Sequence, residues 1–134
     1  MNEFQEAIRS HKMWFGSYKD SGELKKIQVW CFLAEGNIEF ITPGDSYKAK
    51  RVRRNPLVIC YLGRENGPAV EGNAELVSEP AALWRGYQAY WKTHKWMMLL
   101  LGFSIRRRIR SGTQVLVRVK PKAPNPFEGI TDQR

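Results

Sequence analysis

The chain has 134 residues, of which 43% are hydrophobic and 26% charged, a composition typical of one globular domain with its own core. Its 22 Lys and Arg residues outnumber 13 Asp and Glu residues, so the formal net charge is +9 at pH 7. This excess favours anionic partners: nucleic acid, an anionic membrane, or a phosphorylated or carboxylated cofactor. Its two histidines, His11 and His94, and two cysteines, Cys31 and Cys60, have no metal-binding or redox spacing, which argues against a catalytic metal.

The N-terminal residues predict a short helix rather than a targeting segment. The first ten residues contain two glutamates and no apolar run, which is typical of a cytoplasmic protein. Asn2 can cap an amphipathic helix that places Phe4 and Ile8 on one face. Further along, Cys31 and Cys60 lie inside apolar runs, so we expect both to be buried free thiols.

Six segments are rich in apolar, β-branched and aromatic residues and are separated by turns containing Gly, Asn, Asp or Pro. They are residues 13–18, 27–33, 38–42, 57–62, 69–77 and 115–119. Antiparallel strands at this spacing, with one helix inserted, favour a small barrel over a doubly wound parallel sheet. The predicted fold class is therefore mainly β (α+β), with six antiparallel strands and flanking helices.

A short basic helix is predicted after the third strand and the turn formed by residues 43–45. It begins near Ser46, and Pro56 ends it because proline disfavours helix at the preceding residue, Asn55. Five of residues 46–54 are Lys or Arg. Hydroxyl groups and free backbone N–H groups at a helix start, with a lysine one turn in, make a good receptor for a phosphate. A solvated basic face is the alternative interpretation.

The C-terminal half predicts one long helix, a last strand and a tail. Ser78 as cap, with Glu79 and Pro80 in the first turn, opens a helix that we expect to run to Leu101. Residues 96–101 are apolar but too few to span a bilayer, which needs about 20 residues. We interpret them as core or dimer interface, with a pocket wall or a membrane-surface contact as alternatives. The basic residues 106–110 form either a solvated connector or a binding site for phosphate groups or anionic lipid. Residues 1–122 are predicted as the domain and residues 123–134 as an irregular tail.

Seven short motifs follow one another in order between residues 13 and 80. They are WFGSY (14–18), SG (21–22), VWCF (29–32), EGNIEF (35–40), T…SYK (42–48), RNPLV (54–58) and VEGNA (70–74). Their order and spacing resemble the pyridoxamine 5′-phosphate oxidase-like superfamily, the flavin-binding split barrels. The resemblance implies a homodimeric six-stranded split β-barrel with FMN bound between the two subunits.

The resemblance also implies which residues hold the cofactor. The turn before the basic helix would bind the phosphate, with hydroxyl donors, one main lysine and nearby helpers: Thr42, Ser46, Tyr47, Lys48, Lys50 and Arg51. The second strand, at Gln28, Val29 and Trp30, would line the isoalloxazine ring, and its backbone N–H groups would stabilise the reduced flavin. Plain core packing is the alternative for Trp30. No catalytic side chain or metal is implied, because the cofactor carries the chemistry.

Two departures from the family pattern bear on the reaction. Tyr47 stands where pyridoxamine-phosphate oxidases have an arginine, and the tail lacks their substrate-binding motif. The leading hypothesis is therefore a cytoplasmic FMN-dependent oxidoreductase acting on a small molecule, without the classical oxidase activity. The first alternative is a reductase using the 8-hydroxy-5-deazaflavin coenzyme. A haem-binding split barrel, a non-catalytic flavin carrier and a nucleic-acid-binding module are further alternatives. The aromatic residues do not alternate with the basic clusters, which disfavours the last of these.

Overall fold

The structure is a computed structural model that describes residues 2–130. Its strands and helices alternate irregularly along the chain, with a pair of helices inserted before the last strand. In chain order they are α1 (Glu3–Ile8), β1 (Lys12–Tyr18), β2 (Leu24–Trp30), β3 (Phe32–Ala34), β4 (Asn37–Pro43), α2 (Tyr47–Arg54), β5 (Leu57–Leu62), β6 (Ala69–Val77), α3 (Pro80–Thr93), α4 (Lys95–Ser111) and β7 (Gln114–Pro121).

One antiparallel sheet contains the strands in the order β2-β1-β5-β6-β7-β4-β3. Strands β2 and β3 form its two edges, although only Cys31 separates them in the chain. Two edges joined by a single residue must lie close together, so the sheet curls into a half-barrel. The predicted mainly β (α+β) class with flanking helices is confirmed.

The prediction of six strands is wrong, because residues 27–33 form parts of two strands. Trp30 pairs with Lys12 of β1, whereas Phe32 pairs with Glu39 of β4. Between them the backbone N–H of Cys31 donates to the carbonyl oxygen of His11 at 2.8 Å. The chain thus passes from one sheet edge to the other inside a continuous apolar run. Because both halves of this run are apolar, the sequence does not show where β2 ends and β3 begins.

The prediction of one helix ending at Leu101 is also wrong. Helices α3 and α4 meet at His94, whose φ of −137° and ψ of 53° interrupt the helical backbone. Helix α4 then continues through residues 106–110 and ends at Gly112, which has the left-handed φ of 77° typical of a helix C-cap. Gly102 does not stop the helix: it faces α3, where an added Cβ would lie 3.3 Å from Cζ2 of Trp91. The N-cap of α3 is Glu79 rather than Ser78.

The two short helices form as expected. Asn2 caps α1 by accepting a hydrogen bond from the N–H of Gln5 at 2.8 Å, and Ile8 is buried. Helix α2 starts after Ser46 and ends at Arg54, before Pro56. No helix within residues 2–130 has the length and apolarity needed to cross a bilayer.

Two apolar clusters lie on opposite faces of the sheet. One fills the inside of the curl, where alternate residues of β4, β6 and β7 point inward, as Val117 and Val119 do. The other lies beneath α3 and α4 and includes Leu116, the residue before Val117. Strand β7 is therefore buried on both faces. Both cysteines are buried and free, as predicted, and burial raises the pKa of Cys60 to about 12.

The segment after β7 packs back onto the domain. Phe127 belongs to the inner cluster, although the residues around it form no strand or helix. The side-chain amide of Asn125 donates to the carbonyl oxygen of Gly36 at 2.9 Å, and that of Gln5 donates to the carbonyl oxygen of Pro126 at 3.1 Å. The segment is thus tied to α1 and to the β3–β4 turn. Residues 131–134 of the predicted tail lie outside the described residues.

Candidate cofactor site

A cleft of about 340 Å³ lies where β2 ends, between the start of α2 and the middle of α4. Its walls are mostly apolar, with several polar and cationic groups among them. The lining residues are Val29, Trp30, Ile41, Thr42, Pro43, Lys48, Tyr90, Met97, Leu101, Ser104, Ile105, Arg108 and Gln114.

Four of the predicted cofactor residues line this cleft: Val29, Trp30, Thr42 and Lys48. They come from two segments that pair with different neighbours, since β2 adds to β1 whereas β4 lies between β7 and β3. Only the curl of the sheet brings them together. A larger groove of about 810 Å³, between α1, β5, β6 and residues 122–126, contains none of the nine predicted residues. The smaller cleft is therefore the candidate site.

The backbone at the end of β2 is available for ligand binding and is braced from behind. As an edge strand, β2 has backbone groups that are not paired with another strand. The hydroxyl of Tyr90 donates to the carbonyl oxygen of Trp30 at 2.9 Å and accepts from the N–H of Ile41 at 2.9 Å. Burial raises the pKa of Tyr90, so the hydroxyl keeps the proton that it donates. This one side chain fixes the distance between β2 and β4 at the cleft.

The start of α2 carries the predicted hydroxyl groups and the main lysine. Ser46 Oγ accepts from the N–H of Ala49 at 3.2 Å and from Thr42 Oγ1, also at 3.2 Å. Thr42 and Ser46 are thus joined to each other and to the helix cap, and of the two only Thr42 lines the cleft. Partial burial, and secondly the charge of Arg51, lower the pKa of Lys48. An anion beside Lys48 would offset both effects.

The other predicted residues lie outside the cleft. Gln28, Tyr47 and Lys50 are exposed, and the Lys50 ammonium lies 5.6 Å from the centre of the Tyr47 ring. Arg51 is buried: its Nε donates to Ser17 Oγ at 2.8 Å, while its Nη2 is buried without a hydrogen-bond partner among the described residues. Burial, and secondly the charge of Arg54, lower the pKa of Arg51. A buried guanidinium with an unused donor is suited to a nearby anion.

Much of the cleft is formed by residues outside the predicted set. Gln114, the first residue of β7, is only 3% exposed, and its Oε1 has no hydrogen-bond partner in the described structure. Buried acceptors without partners are uncommon, so this carboxamide oxygen is suited to a ligand N–H group. Arg108 contributes a second cation to the cleft, in addition to Lys48. Arg108 lies in the basic run that the sequence singles out, whereas nothing in the sequence marks Gln114, Tyr90 or Ser104.

A group of aromatic rings adjoins the cleft at the α3–α4 break. The ring centre of His94 lies 5.3 Å from that of Trp30 and 5.9 Å from that of His11. His94 Nδ1 is 2.7 Å from Thr93 Oγ1. Burial, and secondly the proximity of His11, lower the pKa of His94 to about 4, so its imidazole is neutral at pH 7.

We therefore expect the fold to lose stability as the pH falls from about 6.5 to about 4. In that window the His94 imidazole binds a proton in the unfolded chain but not in the folded protein. Proton binding therefore favours the unfolded state as the pH falls. Since the ring is only partly buried, its contribution should be roughly 2 kcal/mol at most. Urea unfolding of the wild type and of His94→Gln at several pH values would measure it. A free-energy difference between them that stays constant from pH 7 to pH 4 would contradict the assignment.

Comparison with known proteins shows the fold. No family model and no curated protein sequence matches the chain. Among solved structures, a conserved hypothetical protein of Mycobacterium tuberculosis, Rv2991, is 23% identical with a TM-score of 0.71, over 91% of this chain and 81% of that one. An F420 reductase is 14% identical with a TM-score of 0.61, over 92% and 95%. A pyridoxamine 5′-phosphate oxidase-related FMN-binding protein of Nostoc punctiforme is 15% identical with a TM-score of 0.55, over 89% and 74%.

At these identities the likeness is one of fold. This likeness of fold agrees with the family resemblance of residues 13–80, which rests on the order of their motifs. The chain therefore shares the fold of these proteins, which include a pyridoxamine 5′-phosphate oxidase-related FMN-binding protein.

Proposed function

We propose that this protein binds FMN in the cleft between β2, α2 and α4 and acts as an oxidoreductase on a small molecule. One observation carries the proposal. The curl of the sheet brings Val29 and Trp30 together with Thr42 and Lys48, and the same cleft contains the unpartnered carboxamide oxygen of Gln114. An amphipathic ligand with an anionic end and ring N–H groups would satisfy all of these residues.

Different residues of the cleft would bind different parts of FMN. Lys48 and the Thr42 hydroxyl, near the start of α2, would hold the phosphate, with Arg51 as a second cation behind them. Val29 and Trp30 would lie along the ring, where Gln114 can accept a hydrogen bond from a ring N–H. When bound, FMN supplies hydride or electron transfer. The side chains orient the ring and exclude water, and the proposal assigns none of them to acid or base catalysis.

The proposal includes a homodimer with the site at its interface. This expectation comes from the family resemblance, and the wall formed by Trp30 and Leu101 is open enough to admit a partner, since both side chains are exposed. Light scattering with and without FMN checks it. A monomer that binds FMN with full affinity would contradict the shared site.

The deazaflavin coenzyme F420 is a second candidate ligand, favoured by Arg108. This residue places a second cation in the cleft with Lys48, and Arg106, Arg107 and Arg110 lie on the same helix. A coenzyme with a phosphate and a polycarboxylate tail could use both cations, whereas FMN has a single phosphate. The Arg108→Gln variant separates the two: it should weaken binding of the deazaflavin more than binding of FMN.

Replacing Lys48 by alanine is expected to weaken FMN binding at least tenfold, about 1.4 kcal/mol or more. The variant removes the main counter-charge to the phosphate, and charge-assisted hydrogen bonds are among the strongest available. Lys50→Ala is the matched control, because Lys50 lies on the same helix but is exposed and outside the cleft. Fluorescence titration measures both. Equal affinity of the two variants would remove Lys48 from the site.

The first test of the proposal is a visible absorption spectrum of the purified protein, followed by titration with FMN and with the deazaflavin. A yellow chromophore that copurifies, or tight binding of FMN, supports the proposed flavoprotein. Selective binding of the deazaflavin supports the second candidate. A Soret band would indicate the haem alternative instead. If neither flavin binds, the cleft does not serve as a flavin site.

A further inference from the structure

Helix α4 has a large apolar surface that packs against nothing in the described structure. Its side chains Trp96, Leu100 and Phe103 are 79%, 84% and 75% exposed, and Leu99 is also exposed. Single exposed apolar residues are common on soluble proteins, whereas a contiguous patch of large ones marks an interaction site. Core or dimer interface is the prediction for residues 96–101; of these, Met98 is buried in the core, whereas Trp96, Leu99 and Leu100 are exposed.

The three faces of α4 have different characters. At 100° per residue, Trp96, Leu99, Leu100 and Phe103 fall within an arc of about 120° that also contains Arg106, Arg107 and Arg110. We call these seven residues the outer face. The opposite side packs on the sheet through Met98, Gly102, Ile105 and Ile109, which are all buried. A third side, with Met97, Leu101 and Arg108, lines the cleft.

The outer face is apolar in its first half and basic in its second. Trp96 and Phe103 are separated by about 10 Å along the helix, and the arginines occupy the following two turns. The Arg107 guanidinium lies 5.8 Å from the centre of the Phe103 ring, so the two halves are in contact. Trp, Leu and Phe together with arginines are the residue types of helices that lie in a membrane interface, and in α4 both types share one face.

The charges around the outer face indicate which class of partner it can bind. Helices α3 and α4 contain seven Lys and Arg residues, and the sequence has no Asp or Glu between Glu79 and Glu128. A two-fold contact through the outer face would bring the arginines of two copies together without a carboxylate on either helix pair to balance them. A polyanion without an apolar layer would leave the Trp, Leu and Phe side chains in water. An anionic lipid surface satisfies both halves of the face.

We propose that the outer face of α4 docks this protein on an anionic phospholipid bilayer. Trp96, Leu99, Leu100 and Phe103 enter the boundary between headgroups and acyl chains, while Arg106, Arg107 and Arg110 bind headgroup phosphates. Each arginine near such a surface strengthens binding by about fivefold at moderate salt. Docking needs no cofactor and is independent of the proposed function. Because Leu101 and Arg108 lie on the adjacent side of the helix, the docked protein would hold its cleft beside the lipid.

Sedimentation with vesicles tests the proposal. The purified protein is mixed with vesicles of phosphatidylcholine alone, or with about 30% phosphatidylglycerol, at low and high salt. We expect binding at least tenfold tighter to the anionic vesicles, and weaker binding as salt rises. Trp96 emission should shift to the blue on binding; the difference between the wild type and Trp96→Phe isolates it from the other four tryptophans.

Two pairs of variants separate the apolar and basic halves. The double variant Leu100→Glu and Phe103→Glu should abolish vesicle binding while circular dichroism and thermal unfolding stay unchanged, because both residues are exposed. Arg107→Gln with Arg110→Gln should lower binding to anionic vesicles at least tenfold. Arg64→Gln, an exposed arginine in the β5–β6 turn, is the matched control and should lower it less than twofold.

Three results would overturn the proposal. One is equal or absent binding to both vesicle types. Another is an equal loss per arginine in Arg64→Gln and in the double variant Arg107→Gln with Arg110→Gln, which would indicate attraction by net charge alone. The third is a wild-type dimer that becomes a monomer on Leu100→Glu without any vesicle binding, since the outer face would then bind a second copy of the chain. None of these results depends on whether FMN binds.

Discussion

Replacing Phe127 by alanine is expected to lower the free energy of unfolding by about 3 to 5 kcal/mol, the range for truncating a fully buried phenylalanine. Phe127 is 1% exposed and packs inside the curled sheet with residues from most of its strands. The segment is held in place by hydrogen bonds to its backbone and to Asn125, so it cannot easily move to fill the resulting cavity. Urea unfolding measures the change.

Phe103→Ala is the control for this experiment. It removes the same atoms from a side chain that is 75% exposed, and should change the free energy of unfolding by less than about 0.5 kcal/mol. A loss below about 1 kcal/mol for Phe127→Ala would contradict the packed position of this segment. The contrast matters because Phe127 lies in a segment that the sequence analysis separated from the domain.

The tail shows what composition can and cannot predict. Prolines at positions 121, 124 and 126 predict an irregular tail, and residues 123–130 form no strand or helix in the structure. The same prolines say nothing about burial, because an irregular segment can still close a core if its backbone groups find partners. Here the side-chain amides of Asn2 and Gln5 provide them at the carbonyl oxygen of Pro126. Those partners lie more than 120 residues away in the chain.

The strands were predictable where each one is apolar and bounded by turn residues. The wrong number of strands and the wrong end of the helix have a common cause: the local sequence pattern does not show how strands and helices pack against one another. At Cys31 the chain changes sheet edges within an apolar run, and both sides of the change are equally apolar. At Gly102 the helix continues through a residue of low helix propensity, which lies where an added Cβ would be 3.3 Å from Cζ2 of Trp91 in α3.

The candidate site was predictable only where it lies within the family motifs. Thr42, Lys48, Val29 and Trp30 were found because the motifs that contain them follow a familiar order. Arg108 and Gln114 reach the cleft from elements far along the chain, and only the tertiary fold brings them there. No local sequence pattern marks Tyr90. In the structure its hydroxyl joins the two strands that carry the predicted residues.

Replacing Tyr90 by phenylalanine should therefore affect both the fold and the cleft. The change removes one oxygen atom and leaves the N–H of Ile41 and the carbonyl oxygen of Trp30 without the partner that each has now. Both hydrogen bonds are only partly buried and Trp30 lines an open cleft, so water can replace part of what is lost and the variant should lose about 1 to 3 kcal/mol of unfolding free energy. Because Trp30 and Ile41 both line the cleft, FMN binding should weaken at least tenfold as well.

Tyr87→Phe separates this effect from the general loss of a hydroxyl group on α3. Tyr87 packs its ring against Trp84 and Trp91. Its variant should change stability by less than about 0.5 kcal/mol and leave FMN affinity unaltered. Urea unfolding and FMN titration on both variants give four values. A stability loss in Tyr90→Phe with unchanged FMN affinity would mean that Tyr90 braces the sheet without setting the width of the cleft. Because Tyr90 holds β2 and β4 together from behind, we expect the two losses to appear together.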